Sequence, residues 1–215
     1  MTTSEQHYRR HAPDYKIGGT RKHRILEMIG RSRGRVLDVG CGTGQLGRAL
    51  KDRGHWVGGI ELSDDAVMRA REHLDTVWQF NIEERWPDLG KPMDAIIFAE
   101  VLEHVFDPVK VIRQSERFLT PGGLVIITTP NMLHWLNRLV FLAGSFRYER
   151  SGMFDFGHIR WFTYAYLRNV LRDAGFEITH ERHIIVPGTL SFILRTRPSL
   201  FARTFVVASE RIDHA

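Results

Sequence analysis

The chain has 215 residues, 43% hydrophobic and 26% charged, which supplies one globular domain with a full core and excludes a disordered or fibrous chain. No run approaches the roughly 18 apolar residues of a membrane span, residues 1–10 carry no apolar leader, and the only cysteine, Cys41, can close no internal disulfide, so the expected setting is the cytoplasm. A formal net charge of +5 favours an acidic partner, whether a phosphate, a nucleic acid or an anionic lipid, without choosing among them.

In chain order, residues 1–20 read as an irregular or helical lid, with Tyr8 and Tyr15 placed either to close over a site or simply to pack. Strand-like runs near 35–39, 55–60, 77–80, 94–99 and 123–129 alternate with helix-like segments at 43–53, 64–74 and 108–118. That alternation argues for a parallel sheet wound by helices on both faces. The third of these helices opens on Asp107-Pro108, a capping acid before the proline favoured at the first helical position, and Pro121-Gly122-Gly123 is expected to turn into the fifth strand. Thr163 to Ala174 reads as a helix stopped by Gly175, followed by strands at Phe176 to Val186 and Thr204 to Glu210. Residues 1–215 thus make a single domain, with 132–162 as a variable cover over the substrate.

The strongest local signal is Val36-Leu37-Asp38-Val39-Gly40-Cys41-Gly42-Thr43-Gly44. Glycines spaced two apart after an apolar strand let the backbone turn sharply and approach a ligand, just where a helix begins. The next strand ends in Glu61, near the spacing of about 20 residues at which an acid takes the hydroxyls of a bound ribose. The pair points to an adenosine cofactor, and the glycine turn alone would also serve a nicotinamide or flavin dinucleotide.

The order VLDVGCGTG followed by an acid closing the second strand resembles motif I of the class I S-adenosylmethionine (SAM)-dependent methyltransferases. That resemblance implies an α/β, Rossmann-like, doubly wound and mostly parallel seven-stranded sheet with an antiparallel closing strand. It implies SAM held by Asp38, Gly40, Cys41, Gly42, Gly44 and Glu61, with Glu100 farther along the same edge. Leu62 would pack on the adenine, and Asn81 with Ile82 would reach its amino group. Asn81 reads equally well as a turn former, and Cys41 as a small filler rather than a nucleophile. Asp38 is expected to orient the loop or the ammonium of the cofactor, because an acid at a buried strand end needs partners.

A second stretch, Glu100-Val101-Leu102-Glu103-His104, directly follows the fourth strand at the carboxyl edge of the sheet, where open α/β sheets bind ligands. A helical turn there would gather residues 100, 103 and 104 on one face. Two carboxylates so close need a shared proton or a cation between them. The Glu-x-x-Glu-His pattern resembles two metal-assisted O-methyltransferase groups, those of ubiquinone biosynthesis and those that modify the ends of small RNAs. Each adds a downstream histidine, for which His158 in Asp155-Phe156-Gly157-His158-Ile159-Arg160 is the candidate. The implied metal set is Glu100, Glu103, His104 and His158 around Mg²⁺, Mn²⁺, Fe²⁺ or Zn²⁺, and the implied catalytic set is Glu103, His104 and His158. The same LEHV stretch occurs in the wider family without metal, leaving His104 as a general base or a structural cap.

Within the cover, His134-Trp135-Leu136-Asn137-Arg138-Leu139-Val140-Phe141-Leu142-Ala143-Gly144 is an aromatic, apolar helix flanked by Arg147 and Arg150. Such a helix either packs on the core or lies as a peripheral contact on a membrane surface. The later HIRWFT is similar to the MetW-like methionine-biosynthesis group, and Arg147, Arg150 and Arg160 are candidates to hold a phosphate, carboxylate or sugar nucleotide. Together these motifs point to SAM-dependent O-methylation of a small-molecule acceptor. RNA or other N-methylation, a SAM-binding module without turnover, and a nicotinamide oxidoreductase are the alternatives. The last lacks a Tyr-x-x-x-Lys pair, and no basic stripe with interleaved aromatics marks a nucleic-acid surface.

Overall fold

Five apolar runs form the parallel part of one sheet: β1 (Arg35–Val39), β2 (Trp56–Glu61), β3 (Thr76–Gln79), β4 (Met93–Ala99) and β5 (Leu119–Pro130). In the computed structural model, which describes residues 17–30, 34–149, 152–185 and 196–212, strands β6 (Phe176–Glu181), β7 (Ile184–Ile185) and β8 (Ala202–Arg211) complete it. The order is β3-β2-β1-β4-β5-β8-β6, with β7 also paired to β8, and β8 runs antiparallel to both β5 and β6. This is the Rossmann-like α/β sheet with an antiparallel closing strand that the sequence leads one to expect, with eight strands in place of seven.

The helices are α1 (Gly19–Ile29), α2 (Gln45–Lys51), α3 (Asp64–Ala70), α4 (Pro108–Glu116), α5 (Trp135–Leu142), α6 (Tyr164–Asp173) and α7 (Pro198–Phe201). Successive strand residues point to opposite faces, so one sheet yields two cores. Leu37, Ile96, Phe98 and Ile127 join α4 and α6 on one face, whereas Val36, Ile97 and Ile126 join α1 and α2 on the other. Helices on both faces explain why the interior strands are almost continuously apolar. Asp107 caps α4 by accepting from Lys110 N at 2.9 Å, ahead of the proline, as anticipated. Among the described residues no helix is long and apolar enough to cross a membrane.

Two expectations change. The single strand foreseen over 176–186 is divided, because the His183 ring enters the ladder. Its Nδ1 accepts from Val206 N at 3.3 Å, and the register slips between Ile184 and Ile185. Pro121-Gly122-Gly123 does not precede β5 but lies inside it, absorbed by a register shift opposite Met93 and Ala95, with Gly122 at φ 72°. Neither shift disturbs the edge that matters. Val39 pairs with Ile60 and Phe98, and Ala99 with Thr128, so the carboxyl ends of β1, β2, β4 and β5 open onto one side.

Candidate active site

The glycine turn leaves β1 through three left-handed residues, Gly40 (φ 69°), Gly42 (φ 53°) and Gly44 (φ 80°), a backbone that side chains disfavour. Gly40 N and Cys41 N both donate to Ile60 O, at 2.8 and 3.0 Å, which straps the turn to the end of β2. Glu61, 1% exposed, completes the strap. Its Oε2 accepts from Gly42 N at 2.9 Å, and its Oε1 from Leu62 N and Ser63 N at 2.7 and 2.9 Å. The acid at the end of β2 therefore organises both the glycine turn and the loop that follows β2.

The Cys41 side chain leaves the turn and enters the core, where burial, followed by the charges of Asp38 and Glu61, pushes its thiol well above the usual range. That agrees with a filler, not a nucleophile. It also accounts for Gly59 on the neighbouring strand, since a Cβ there would stand 2.6 Å from Cys41 Sγ and 2.5 Å from Leu74 Cδ1. Gly59→Ala is expected to lower stability by about 1–3 kcal/mol in chemical denaturation. Gly19→Ala, where an added Cβ meets nothing within 4 Å, serves as the control; equal stabilities would contradict this packing.

Asp38, 2% exposed, is pushed up to about 7 by burial and then by the Glu61 charge. Leu62 is half-buried beside Glu61. Asn81 Oδ1 accepts from Glu83 N at 3.0 Å, so its side-chain oxygen makes a turn. Ile82 packs against the core, and its carbonyl receives Trp86 Nε1 at 2.8 Å.

Along the same edge, Glu100 adopts φ 59°, the only non-glycine residue with positive φ among those described. Such a conformation costs on the order of 1–3 kcal/mol and persists where surroundings impose it. Here Glu100 Oε2 meets Arg21 Nη1 of α1 at 2.5 Å, and Oε1 accepts from Thr128 Oγ1 at 3.1 Å. The next residues form a 3₁₀ turn, Leu102–His104, rather than the α-helical turn that would place Glu100 over Glu103 and His104. Among the described residues the group able to hold a metal is therefore Glu103, His104 and His158, whose ligand atoms lie within 4.8 Å of one another, and Glu100 is outside it.

That trio is tightly set. Glu103, 1% exposed, receives Thr129 Oγ1 on Oε2 at 3.4 Å, while its Oε1 is buried with no hydrogen-bond partner among the described residues. Burial, and then the Glu100 charge, raises its carboxyl well above the ordinary range; burial raises that of Glu100 too, opposed by Arg21. His104 Nδ1 lies 3.0 Å from Gly157 O, and His158 Nδ1 2.9 Å from Met153 O. A carbonyl can only accept, so both rings carry the proton on Nδ1 and present Nε2 as the basic nitrogen. The rings stand edge to face, 4.9 Å between centroids, and burial depresses the His158 pKa. Glu103 O in turn accepts from Ile159 N and Arg160 N at 2.9 and 3.0 Å, locking the turn to the cover.

Other expected residues are engaged elsewhere. The Arg160 guanidinium is spent on Phe106 O, at 3.0 Å from Nε and 2.6 Å from Nη2, so it braces a loop rather than awaiting a phosphate. Arg147 is exposed. Tyr8, Tyr15 and Arg150 lie outside the described residues. Sequence reasoning missed Arg21, Thr128 and Thr129, the partners of the two buried acids. The signal was there, because a buried carboxylate requires a cation or donors.

A parallel sheet closed by an antiparallel strand, with a glycine turn and an acid over its carboxyl edge, defines a cofactor-binding transferase fold of the methyltransferase type. The family model described as "Methyltransferase domain" matches residues 6–181, and the chain belongs to this family of SAM-dependent methyltransferases. It is 35% identical over 125 residues to ubiquinone biosynthesis O-methyltransferase of Pseudomonas aeruginosa, covering 55% of this chain and 54% of the relative. The chain thus spans about half the length of the curated relatives it matches. In structure it resembles the CcbJ methyltransferase of Streptomyces caelestis (TM-score 0.68, 16% identity, 99% of each chain). It also resembles magnesium protoporphyrin IX methyltransferase of Synechocystis PCC 6803 (TM-score 0.62, 19% identity, 98% and 95% of the chains), solved with bound SAH. At these identities the structural likeness concerns the fold alone.

Proposed function

We propose that the protein transfers a methyl group from SAM to a hydroxyl oxygen of a small-molecule acceptor, with His104 serving that oxygen. The observation that carries this reading is the Glu103–His104–His158 group, a buried acid with two half-buried histidines, at the carboxyl edge of the sheet onto which β1, β2, β4 and β5 open. The glycine turn and Glu61 would hold the adenosine, with Leu62, Asn81 and Ile82 on the adenine side. Asp38 would face the ammonium, and Arg21, placed by Glu100, would offer donors to the carboxylate.

The donor is already activated, so the protein's work is alignment and removal of one proton. As the acceptor oxygen bonds the methyl carbon, the sulfur–methyl bond breaks and its electron pair stays on sulfur, leaving a neutral thioether. The hydroxyl proton passes to His104 Nε2 and then to solvent, while Gly157 O keeps the ring in the required tautomer.

The same residues fit a divalent ion. An orphaned, buried Glu103 Oε1 and two imidazoles oriented through Nδ1 by backbone carbonyls are the features of a ligand set with its supporting hydrogen bonds. One carboxylate with two histidines suits Fe²⁺, Mn²⁺ or Zn²⁺ better than Mg²⁺, which prefers oxygen. Bound there, the ion would lower the pKa of an acceptor hydroxyl. Incubating the protein and radiolabelled SAM with extract fractions, with and without EDTA, tests both layers. Transfer to a fraction supports the transferase, and loss with EDTA restored by added ion supports the metal. EDTA-insensitive transfer leaves His104 as a metal-free base, and failure to bind SAM refutes the whole reading.

Asp38 gives a pH signature. Unfolded, its carboxyl ionises near the ordinary 3.8, and folded at about 7, so between these values the native state holds a proton that the unfolded chain has lost. Stability from this group is therefore greatest below about pH 4 and falls as pH rises to about 7. A cationic ligand prefers the ionised form, so SAM binding should expel a proton below pH 7 and weaken toward a limit of about tenfold per pH unit. Calorimetry in buffers of different ionisation enthalpy measures that proton, and Asp38→Asn should abolish it. A proton count of zero in the wild type would contradict the role.

A further inference from the structure

Helix α5 is built the wrong way round for a helix on a water-soluble face. At 100° per residue, Trp135, Leu139 and Leu142 share one stripe with Leu136 at its margin, while Asn137 falls on the opposite side. The stripe faces outward: Trp135 is 41% exposed, Leu136 47%, Leu139 52% and Leu142 83%, and α5 has no buried residue. The polar residue faces inward instead, with Asn137 Nδ2 donating to Asn131 O and Met132 O at 3.1 and 3.2 Å. Helix α5 is thus anchored through its amide and presents its hydrocarbon. The apolar surface continues through stacked and edge-on rings, Phe141 to Phe146 at 5.5 Å, Phe146 to Tyr148 at 5.1 Å and Tyr148 to Phe156 at 5.7 Å, ending in Tyr148 and Phe156 at 58% and 57% exposure.

Charge selects the occupant. Arg138 borders the stripe with its Nε held on Leu133 O at 2.8 Å, and exposed Arg147 lies within the aromatic run, on a chain whose net charge is +5. Leucines and a tryptophan flanked by arginines form the pattern of a helix lying in an interface, its apolar face among acyl chains and its cations among headgroups. We infer that α5 and the aromatic run after it seat the protein on an anionic lipid bilayer surface. Helix α5 starts five residues beyond the end of β5, so this seat adjoins the edge that carries the candidate active site. Binding needs neither cofactor nor acceptor, so the inference stands or falls independently of the transferase reading.

The test is co-sedimentation of the full chain with vesicles of phosphatidylcholine, alone and mixed with phosphatidylglycerol. The mixed vesicles are expected to carry the protein down, with brominated acyl chains quenching tryptophan fluorescence, and quenching it less in Trp135→Phe, where Trp161, 38% exposed against Phe141 and Phe146, still reports on the seat. The double variant Leu139→Asp, Leu142→Asp should lose roughly a hundredfold in vesicle affinity, with thermal unfolding and SAM binding unchanged because both positions are exposed. Arg138→Gln and Arg147→Gln should each cost roughly fivefold on the mixed vesicles only. Sedimentation with neither vesicle, or a double variant that binds like the wild type, overturns the inference. Equal binding to phosphatidylcholine alone overturns the anionic assignment. A dimer in light scattering that the same double variant abolishes, without vesicle binding, would give the face to a second copy of the chain instead.

Discussion

His104→Ala is expected to reduce methyl transfer by roughly a hundredfold to ten-thousandfold, the range for a lost proton acceptor, with SAM affinity close to wild type. The expectation rests on a ring that is grouped with Glu103 and His158 and whose Nδ1 is occupied by Gly157 O, which leaves Nε2 as the basic nitrogen. Alanine also removes that tie to the cover, so a second variant is needed. His104→Asn can place an amide N–H near Gly157 O without a basic nitrogen, and should keep the cover and still lose turnover. Full activity in His104→Asn would assign the histidine to positioning. Glu103→Gln complements it, since an amide keeps an oxygen for Thr129 but cannot supply the negative charge that a bound cation would draw from this otherwise protonated carboxyl. A transferase relying on that charge should be crippled, and one using His104 alone should be little affected.

Glu61→Ala should have the largest effect on the cofactor. The carboxylate receives the N–H groups of Gly42, Leu62 and Ser63, so alanine strands three donors around a buried site. At about 1–3 kcal/mol for each unsatisfied group, the protein should lose at least about 3 kcal/mol, and the glycine turn should no longer be held at the end of β2. The measurement is thermal unfolding with and without SAM. The wild type should be stabilised by ligand through mass action, and the variant should show no shift at any concentration where it is folded. Glu61→Gln separates fold from ligand, because one oxygen still accepts while the amide nitrogen opposes a donor. A SAM-induced shift in Glu61→Ala equal to that of the wild type would remove Glu61 from the cofactor site.

What was legible in the sequence was whatever repeats locally. The apolar runs of β1, β2 and β4, the Asp107-Pro108 start of α4 and the glycine turn each carry their reason within a few residues, and each lies where periodicity and turn chemistry put it. Glu103, His104 and His158 were also legible, as a resemblance that the structure brings into one group. The failures were non-local. Whether Glu100 joins that group depends on Arg21, 79 residues earlier in the chain, and on Thr128, and no spacing rule predicts that pair. The break between β6 and β7 depends on a histidine taking a ladder donor from β8, again a contact between distant segments. Arg160 looked like an anion ligand because its partner, a backbone carbonyl at Phe106, has no side-chain signature.

The two hydrogen bonds from Ile159 and Arg160 to the Glu103 carbonyl bear on how the acceptor range could be re-engineered. They weld the far end of the cover to the Leu102–His104 turn, as Gly157 and Met153 weld it to the two imidazoles. The transplantable module is therefore shorter than the variable stretch in the sequence suggests. Grafts that exchange α5 and the following loop while ending before Met153 would leave the Glu103–His104–His158 group whole, whereas a cut at Thr163 would carry His158, and the carbonyl that orients His104, away with the graft.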